Sequence, residues 1–287
     1  MDLFLQQLLN GLSNGSVYSL VALGLTMVFG ILHVPNFAHG AFYMIGAYVS
    51  LTIMSLFGIP YWIAMLISMF AIALLAVISE RLIYHPLRNA AGLHQMMGAI
   101  GILLFLVAFA QVVWGPNYQQ MSSPYNGAIS IFGTTFTQQR IIVIIATVII
   151  MLILHFFLTK TMIGSAIIAM AQNREGAYLV GINANMVVML TFAISGILAA
   201  AAATLASPIN LVFPGMGDLV IMKAFVIIII GGMGSIPGAI IAGYLLGIVE
   251  SFGATYISGD YKDVIAFALL VIILTVKPTG LFTRRAY

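Results

Sequence analysis

An all-α bundle of membrane-spanning helices is the fold that these 287 residues encode. Composition, hydropathy patterning and charge placement each point to it. Hydrophobic residues make up 62% of the chain and charged residues 6%, against about 25% charged in ordinary soluble domains. So few charges cannot cover a water-facing surface, which excludes soluble enzymes, nucleic-acid binders and disordered scaffolds. The apolar residues fall in continuous runs near 20 residues long, the length of a bilayer-crossing helix. Barrel strands would instead alternate over about ten residues. Only helices satisfy every backbone polar group within one lipid-embedded segment.

Nine apolar segments follow in order. The first, 12–32, is preceded by neither a basic stretch nor a small-residue cleavage site, so it is expected to stay as a helix and not to be removed as a signal peptide. Segment 37–57 follows Pro35-Asn36. Segment 60–80 opens on Tyr61 and Trp62, amphipathic rings suited to the membrane surface, and closes on Glu80-Arg81, expected as an interfacial ion pair. Segment 96–114 closes on Trp114. Segments 140–158, 186–206 and 237–257 are long enough to span, whereas 219–233 and 264–276 are short and are expected to be tilted, half-length or partly re-entrant. The expectation is one membrane domain, 1–287, of eight or nine transmembrane segments with broken or re-entrant helices. The 28 glycines and the small-residue run at 198–207 suit close helix packing, which in lipid relies on Gly, Ala and Ser. Zero cysteines exclude disulfides, iron–sulfur clusters and thiolate metal sites.

Charge placement orients the bundle. Segment 81–95 carries Arg81 and Arg88, segment 159–185 carries Lys160 and Arg174, and the tail carries Lys277, Arg284 and Arg285, while 115–139 has no charge at all. The positive-inside rule puts the basic segments in the cytoplasm and 115–139 outside. Nine crossings then leave the N-terminus outside; one re-entrant segment would move it inside.

Segment 159–185 is too long for a minimal connection and too polar at Gln172-Asn173-Arg174-Glu175 to lie in lipid. Ile167, Met170, Leu179 and Ile182 supply apolar contacts, and Ala166, Ala169, Ala171 and Ala177 favour helix. Short surface helices broken near Gly176 and Gly181, offering a face to a partner protein, fit this composition. An interfacial helix lying on headgroups is the alternative, but such helices are rich in Lys and Arg.

The stretch Ala171-Gln172-Asn173-Arg174-Glu175-Gly176-Ala177 with Gly181-Ile182-Asn183 resembles the coupling loop of ABC importer permeases. More narrowly it resembles the branched-chain (hydrophobic) amino acid permease family, the H-type subunit of the Liv systems. Gly24-Leu25-Thr26-Met27-Val28-Phe29-Gly30, Asn36-Phe37-Ala38-His39-Gly40 with Tyr43-Met44 and Gly46-Ala47-Tyr48, and Lys223-Ala224-Phe225 leading into Gly231-Gly232-Met233-Gly234-Ser235-Ile236-Pro237-Gly238-Ala239 fit the same family. Together these stretches cover nearly the whole chain. Gly176 departs from it, since many coupling loops carry alanine there. The resemblance implies a permease in the bacterial inner membrane that imports branched-chain or other hydrophobic amino acids. It implies a second permease subunit, identical or not, two cytoplasmic ATPase subunits that dock on the coupling loop, and an extracytoplasmic binding protein. ATP and Mg²⁺ belong to those partners. The chain itself has no phosphate-binding loop, so neither cofactor nor enzymatic activity is expected of it. GGMGSIPG at 231–238 has neither the required lysine nor a hydroxyl placed after it for Mg²⁺, and reads as a tight helix break.

Ionisable residues inside a membrane are costly and mark function by default. Lys223 and Glu250, in the outer halves of adjacent segments, either pair with each other or meet the two charges of a zwitterionic substrate; snorkelling and a structural hydrogen bond are the plainer alternatives. Asn36, Ala38, His39 and Gly40 follow Pro35 at a break of the kind that lines cavities in transporters; a polar cap on a broken helix is the plainer reading. Gly231, Gly232 and Gly234 mark the second break. His33 and His39, six residues apart with no nearby carboxylate, make no metal site. An autonomous secondary transporter or channel, a permease for urea or amides, and a structural membrane subunit remain as rivals, the last disfavoured by the interrupted helices.

Overall fold

The computed structural model describes residues 2–131 and 134–282. Its helices are α1 (Asp2–Leu32), α2 (Ala38–Phe57), α3 (Tyr61–Ser79), α4 (His85–Leu87), α5 (Gly92–Trp114), α6 (Gln138–Lys160), α7 (Met162–Gln172), α8 (Arg174–Leu179), α9 (Ala184–Ala206), α10 (Met216–Gly231), α11 (Ile236–Tyr256) and α12 (Lys262–Val276). A π turn at Glu80–Tyr84 joins α3 to α4, so that helix runs on from Tyr61 to Leu87. A hairpin, β1 (Ala128–Ile131) with β2 (Thr134–Thr137), occupies part of the segment between α5 and α6, where sequence showed only an uncharged loop. Seven helices among the described residues are long and apolar enough to cross a bilayer: α1, α2, the α3–α4 rod, α5, α6, α9 and α11. Helices α10 and α12, at 16 and 15 residues, are apolar but short, as the lengths of their segments foretold. The chain is a multi-pass membrane protein.

The spans alternate in direction and give the bundle two ends. Arg81, Arg88, Lys160, Arg174 and Lys277 gather at one, here called the basic end, with the turns 161–183 and 232–235. Arg284 and Arg285, expected there too, lie outside the described residues. Connections 58–60, 115–131 with 134–137, 207–215 and 257–261 form the opposite end.

Helix α1 is the most buried of the seven spans and packs lengthwise against α11. The two run antiparallel in strict register. A Cβ added to Gly11 would lie 2.7 Å from Ile248 Cα, one on Gly247 would lie 2.4 Å from Gly15 N, and one on Gly243 would lie 2.9 Å from Ser19 Cα. Small residues every fourth position on both helices (Gly11, Gly15, Ser19 and Gly243, Gly247, Ser251) let the backbones touch. Helix α9 fills the space between α1, α2 and α3 with its alanine run 199–203, all of it buried.

The first expected helix break takes a different form from the one expected. Helix α1 continues to Leu32, where His33 adopts a left-handed φ of 55° and turns the chain. Residues 33–37 then climb back into the bundle. His39, the second residue of α2, lies against Val21 of α1 and Ser195 of α9. Each is 11 residues from the basic end of its helix, at Leu32 and Ala184, or about 16 Å at 1.5 Å per residue. Residues 33–37 bridge that depth, turning at His33 and again at Phe37, which already has helical φ and ψ. Ala38, His39 and Gly40 are therefore helical and buried; the interruption is 33–37, and α2 begins deep inside the protein.

Tyr61 and Trp114, at helix ends opposite the basic end, are also tied to neighbouring helices. Tyr61 is 3% exposed and donates to Thr204 O at 3.0 Å; Trp114 donates to Thr52 Oγ1 at 2.7 Å and stacks on Tyr48. Both rings find polar partners on neighbouring helices. The Glu80–Arg81 pair forms at the basic end, with Glu80 Oε2 3.7 Å from Arg81 Nε, Glu80 buried and the Arg81 side chain 48% exposed.

Candidate functional site

Three places collect the polar residues of this apolar chain. The first is a cavity of about 460 Å³ that opens at the end opposite the basic one. Such a volume falls within the range of about 300–1,000 Å³ for small-molecule sites. Its wall on α1 is a polar stripe, Gln7, Asn10, Asn14 and Tyr18, spaced so that all four share one helix face. Arg140 from the first turn of α6, Tyr118, and Asn210 and Phe213 from the connection 207–215 complete the mouth. That connection is tied down by an isolated bridge, in which Gln119 N and Val212 O, and Val212 N and Gln119 O, each lie 2.8 Å apart. Because 207–215 folds inward before α10 starts, α10 is short and the cavity sits above it.

At the cavity floor Lys223, from the second turn of α10, meets Glu250 of α11. Lys223 Nζ lies 2.7 Å from Glu250 Oε1, 3.1 Å from Asp263 Oδ1 and 3.0 Å from Tyr18 Oη. Tyr18 donates its proton to Glu250 Oε2 at 2.8 Å, and the Lys223 ammonium stands 5.1 Å from the Tyr18 ring centre. The cluster joins α1, α10, α11 and α12. One ammonium faces two carboxylates, so its formal charge is −1. Of the alternatives left open by sequence, the geometry gives a pair, and both Glu250 oxygens are engaged. Two of the four members, Tyr18 and Asp263, were missed. Tyrosine hides in a hydropathy scan, and Asp263 sits one residue ahead of its apolar segment.

The second place is the buried start of α2. His39 Nε2 lies 3.0 Å from Val21 O and Nδ1 3.0 Å from Ser195 Oγ, so both ring nitrogens are engaged and the side chain does not cap its own helix. A Cβ on Gly24 would stand 2.7 Å from the ring, which is why α1 carries glycine there. Asn36 accepts from Tyr84 Oη at 2.6 Å, fastening the connector to the π turn. Ala38, His39 and Gly40 do not line the cavity; Tyr43, one turn further along α2, does.

The third place is the basic end. Thr161 caps α7 by accepting from Gly164 N, and Asn173 caps α8 by accepting from Gly176 N at 2.9 Å. The break expected near Gly176 thus falls at Asn173, whose side chain satisfies a free amide of the new helix, and Gly176 lies within α8. Gly181, at φ 83°, ends α8 in a Schellman turn: Ile182 N donates to Ala177 O at 3.1 Å and Gly181 N to Tyr178 O at 3.1 Å. Ala177, Ile167 and Met170 are buried, anchoring both short helices. Gln172, Asn173, Glu175, Tyr178, Leu179 and Val180 are exposed. Beside α7 the second glycine break behaves as expected. Gly231 ends α10, Gly232 and Gly234 take φ of 95° and 84°, and Ser235 caps α11 by accepting from Gly238 N. Gly30 of α1 lies beneath Ala171 and Gly234, and a cavity of about 630 Å³ separates α7 from the 233–237 turn.

Arg140 was also missed, although a lone cation at the edge of an uncharged segment was visible. The described residues contain no group of three or more His, Cys, Asp or Glu side chains placed to hold a metal ion.

Residues 7–274 match the family model described as branched-chain amino acid transport system / permease component. The chain is 37% identical over 295 residues, 98% of this chain and 96% of the other, to the high-affinity branched-chain amino acid transport system permease protein BraD of Pseudomonas aeruginosa. It is 38% identical, with the same coverage, to the protein LivH of Escherichia coli K12 that carries the same description. It is 29% identical over 91% of its length to the probable branched-chain amino acid transport permease protein LivH of Methanocaldococcus jannaschii, 87% of which is covered. Among solved structures, a chain of PsaBC from Streptococcus pneumoniae in complex with Fab shares the fold, with a TM-score of 0.52 at 14% identity over 96% of this chain and 92% of that one.

Proposed function

Because the chain belongs to the family of branched-chain amino acid transport permeases, we propose that it is the permease subunit of an ABC importer that carries branched-chain amino acids across the bacterial inner membrane. One observation supports this reading most directly. A polar cavity at one end and an exposed, well-anchored helix pair at the other are joined by a single buried helix, α1, which lines the cavity with Tyr18 and meets α7 and the 232–235 turn at Gly30.

In this reading the basic end faces the cytoplasm. Two ATPase subunits hold ATP and Mg²⁺, and one of them docks on α7 and α8 through residues 171–182, with Gln172, Glu175, Leu179 and Val180 as the exposed contacts. Ala171, Asn173, Gly176, Ala177, Gly181 and Ile182 keep the two helices in shape. Arg174 borders a small crevice with Glu80 and Arg88, placing it beside the α3–α4 rod. Nucleotide-driven closure displaces α7 and α8, and the tight glycine turn at Gly231, Gly232 and Gly234 passes the displacement to α10 and α11. The opposite cavity receives substrate from an extracytoplasmic binding protein, and a second permease subunit encloses the remainder of the path. Lys223 and Glu250 hold the helices around the cavity floor; Asn36, Ala38, His39 and Gly40 hold α2 at the depth where Tyr43 reaches that floor.

Co-purification from mild detergent with a tag on this chain tests the reading, comparing wild type with the double variant Arg174→Ala/Glu175→Ala. An ATPase that accompanies wild type and is lost from the variant is the expected result. Monomeric protein that transports in liposomes under an ion gradient, with no ATPase bound, would favour a secondary transporter instead.

A further inference from the structure

The cavity is charged in an uneven way. Its only carboxylate among the described lining residues is Glu250, and both oxygens of that group are taken by Lys223 and Tyr18. Lys223 is likewise matched, by Glu250 and Asp263. Arg140 is not. Its side chain enters the cavity wall from the first turn of α6, its Nη1 is shielded from solvent, and that atom has no hydrogen-bond partner among the described residues. A guanidinium nitrogen withdrawn from water and left unbonded is costly, and the planar fork it belongs to matches a carboxylate bidentately.

We propose that Arg140 receives the carboxylate of a free α-amino acid in this cavity. The assignment rests on the amino-acid importer reading and adds a specific recognition group to it. Lys262 also lines the cavity, so cations outnumber carboxylates along its described wall and the site favours an anionic group. Val17, Leu219 and Val220 supply apolar lining for a hydrocarbon side chain.

The test uses the assembled transporter in lipid nanodiscs without its binding protein, as wild type, Arg140→Gln and Arg140→Lys. Calorimetric titration follows three probes: L-leucine; 4-methylpentanoate, which lacks the ammonium; and 3-methylbutylamine, which lacks the carboxylate. Arg140→Gln is expected to weaken leucine and 4-methylpentanoate at least tenfold and 3-methylbutylamine less than twofold, with Arg140→Lys intermediate for the two carboxylates. Should Arg140→Gln fail to assemble, the same split is read from Arg140→Lys. Equal weakening of all three probes, or of none, overturns the proposal. So does unchanged leucine binding accompanied by loss of binding-protein docking, since Arg140 would then read a protein carboxylate. A wild-type transporter that imports leucine but binds none of the probes overturns the subsite and leaves the importer reading intact; one that imports no amino acid removes both.

Discussion

Lys223 of α10 and Glu250 of α11 form an ion pair of 2.7 Å with side chains only 12% and 5% exposed. Removing one partner of a buried pair costs about 3–5 kcal/mol, because the other is left as an isolated charge, whereas replacing both with apolar residues is often neutral. Glu250→Gln is therefore expected to lower stability by about 3 kcal/mol, somewhat relieved by Asp263, which also contacts Lys223. The double variant Lys223→Met/Glu250→Leu is expected to recover most of that loss. Thermal unfolding followed by size-exclusion chromatography measures both; equal stability of Glu250→Gln and wild type would mean that the pair contributes nothing.

The α1–α11 contact leaves no room for a side chain. Gly247→Leu forces backbones apart where a Cβ alone would stand 2.4 Å from Gly15 N, and overpacking of this kind costs about 1–3 kcal/mol or more. Loss of monodisperse protein is the expected result. Gly101→Ala, where nothing lies within 4 Å of the added Cβ, is expected to be neutral or to stabilise by up to about 1 kcal/mol through helix propensity. Similar behaviour of the two variants would contradict the register described here.

His39 holds α2 at depth through two bonds of 3.0 Å. His39→Phe keeps an aromatic ring but leaves Ser195 without this partner and removes the bond to Val21 O. Val21 O keeps its bond within α1, so Ser195 Oγ is the one group left unbonded; at about 1–3 kcal/mol for such a group, His39→Phe is expected to destabilise by about that amount and Ser195→Ala by about 1 kcal/mol. Denaturant or thermal titration of the purified chain compares them, and a larger effect from Ser195→Ala would place the main restraint elsewhere.

Leu179, 89% exposed at the basic end, offers a sharper probe of docking than a charge deletion. Leu179→Asp is expected to change stability by no more than about 0.5 kcal/mol, as exposed substitutions do, while abolishing ATPase co-purification. Asn173→Ala removes the α8 cap, costs about 1 kcal/mol locally, and is expected to raise amide exchange of residues 174–179. Retained ATPase with Leu179→Asp would move the docking surface off α8.

All nine helices at the expected segments were legible in the sequence because lipid demands long, continuous apolar runs, and a hydropathy pattern records that demand. The two short helices were legible for the same reason. The depth at which α2 begins was not: Pro35 and Asn36 announce an interruption, but only the partners Val21 and Ser195 say how far inside it lies, and neither is near in sequence. The polar stripe Gln7, Asn10, Asn14 and Tyr18 was readable in principle from its helical spacing. It escaped because each residue by itself is unremarkable at the edge of an apolar segment. The break at Asn173 instead of Gly176 shows a cap outweighing a flexible residue, since a satisfied amide fixes a helix start more firmly than a loose backbone ends one.

The bond between His39 and Ser195 spans 156 residues of chain. During synthesis at roughly 5–20 residues per second, α2 emerges on the order of ten seconds before the segment that supplies its partner. Throughout that interval the Asn36–His39 turn has no completed pocket, and its polar groups must be sheltered by water in the insertion channel or by another protein. Assembly is thus ordered: α1 and α2 enter the membrane early as a pair whose final depth is undecided, and the arrival of α9 draws α2 to its place.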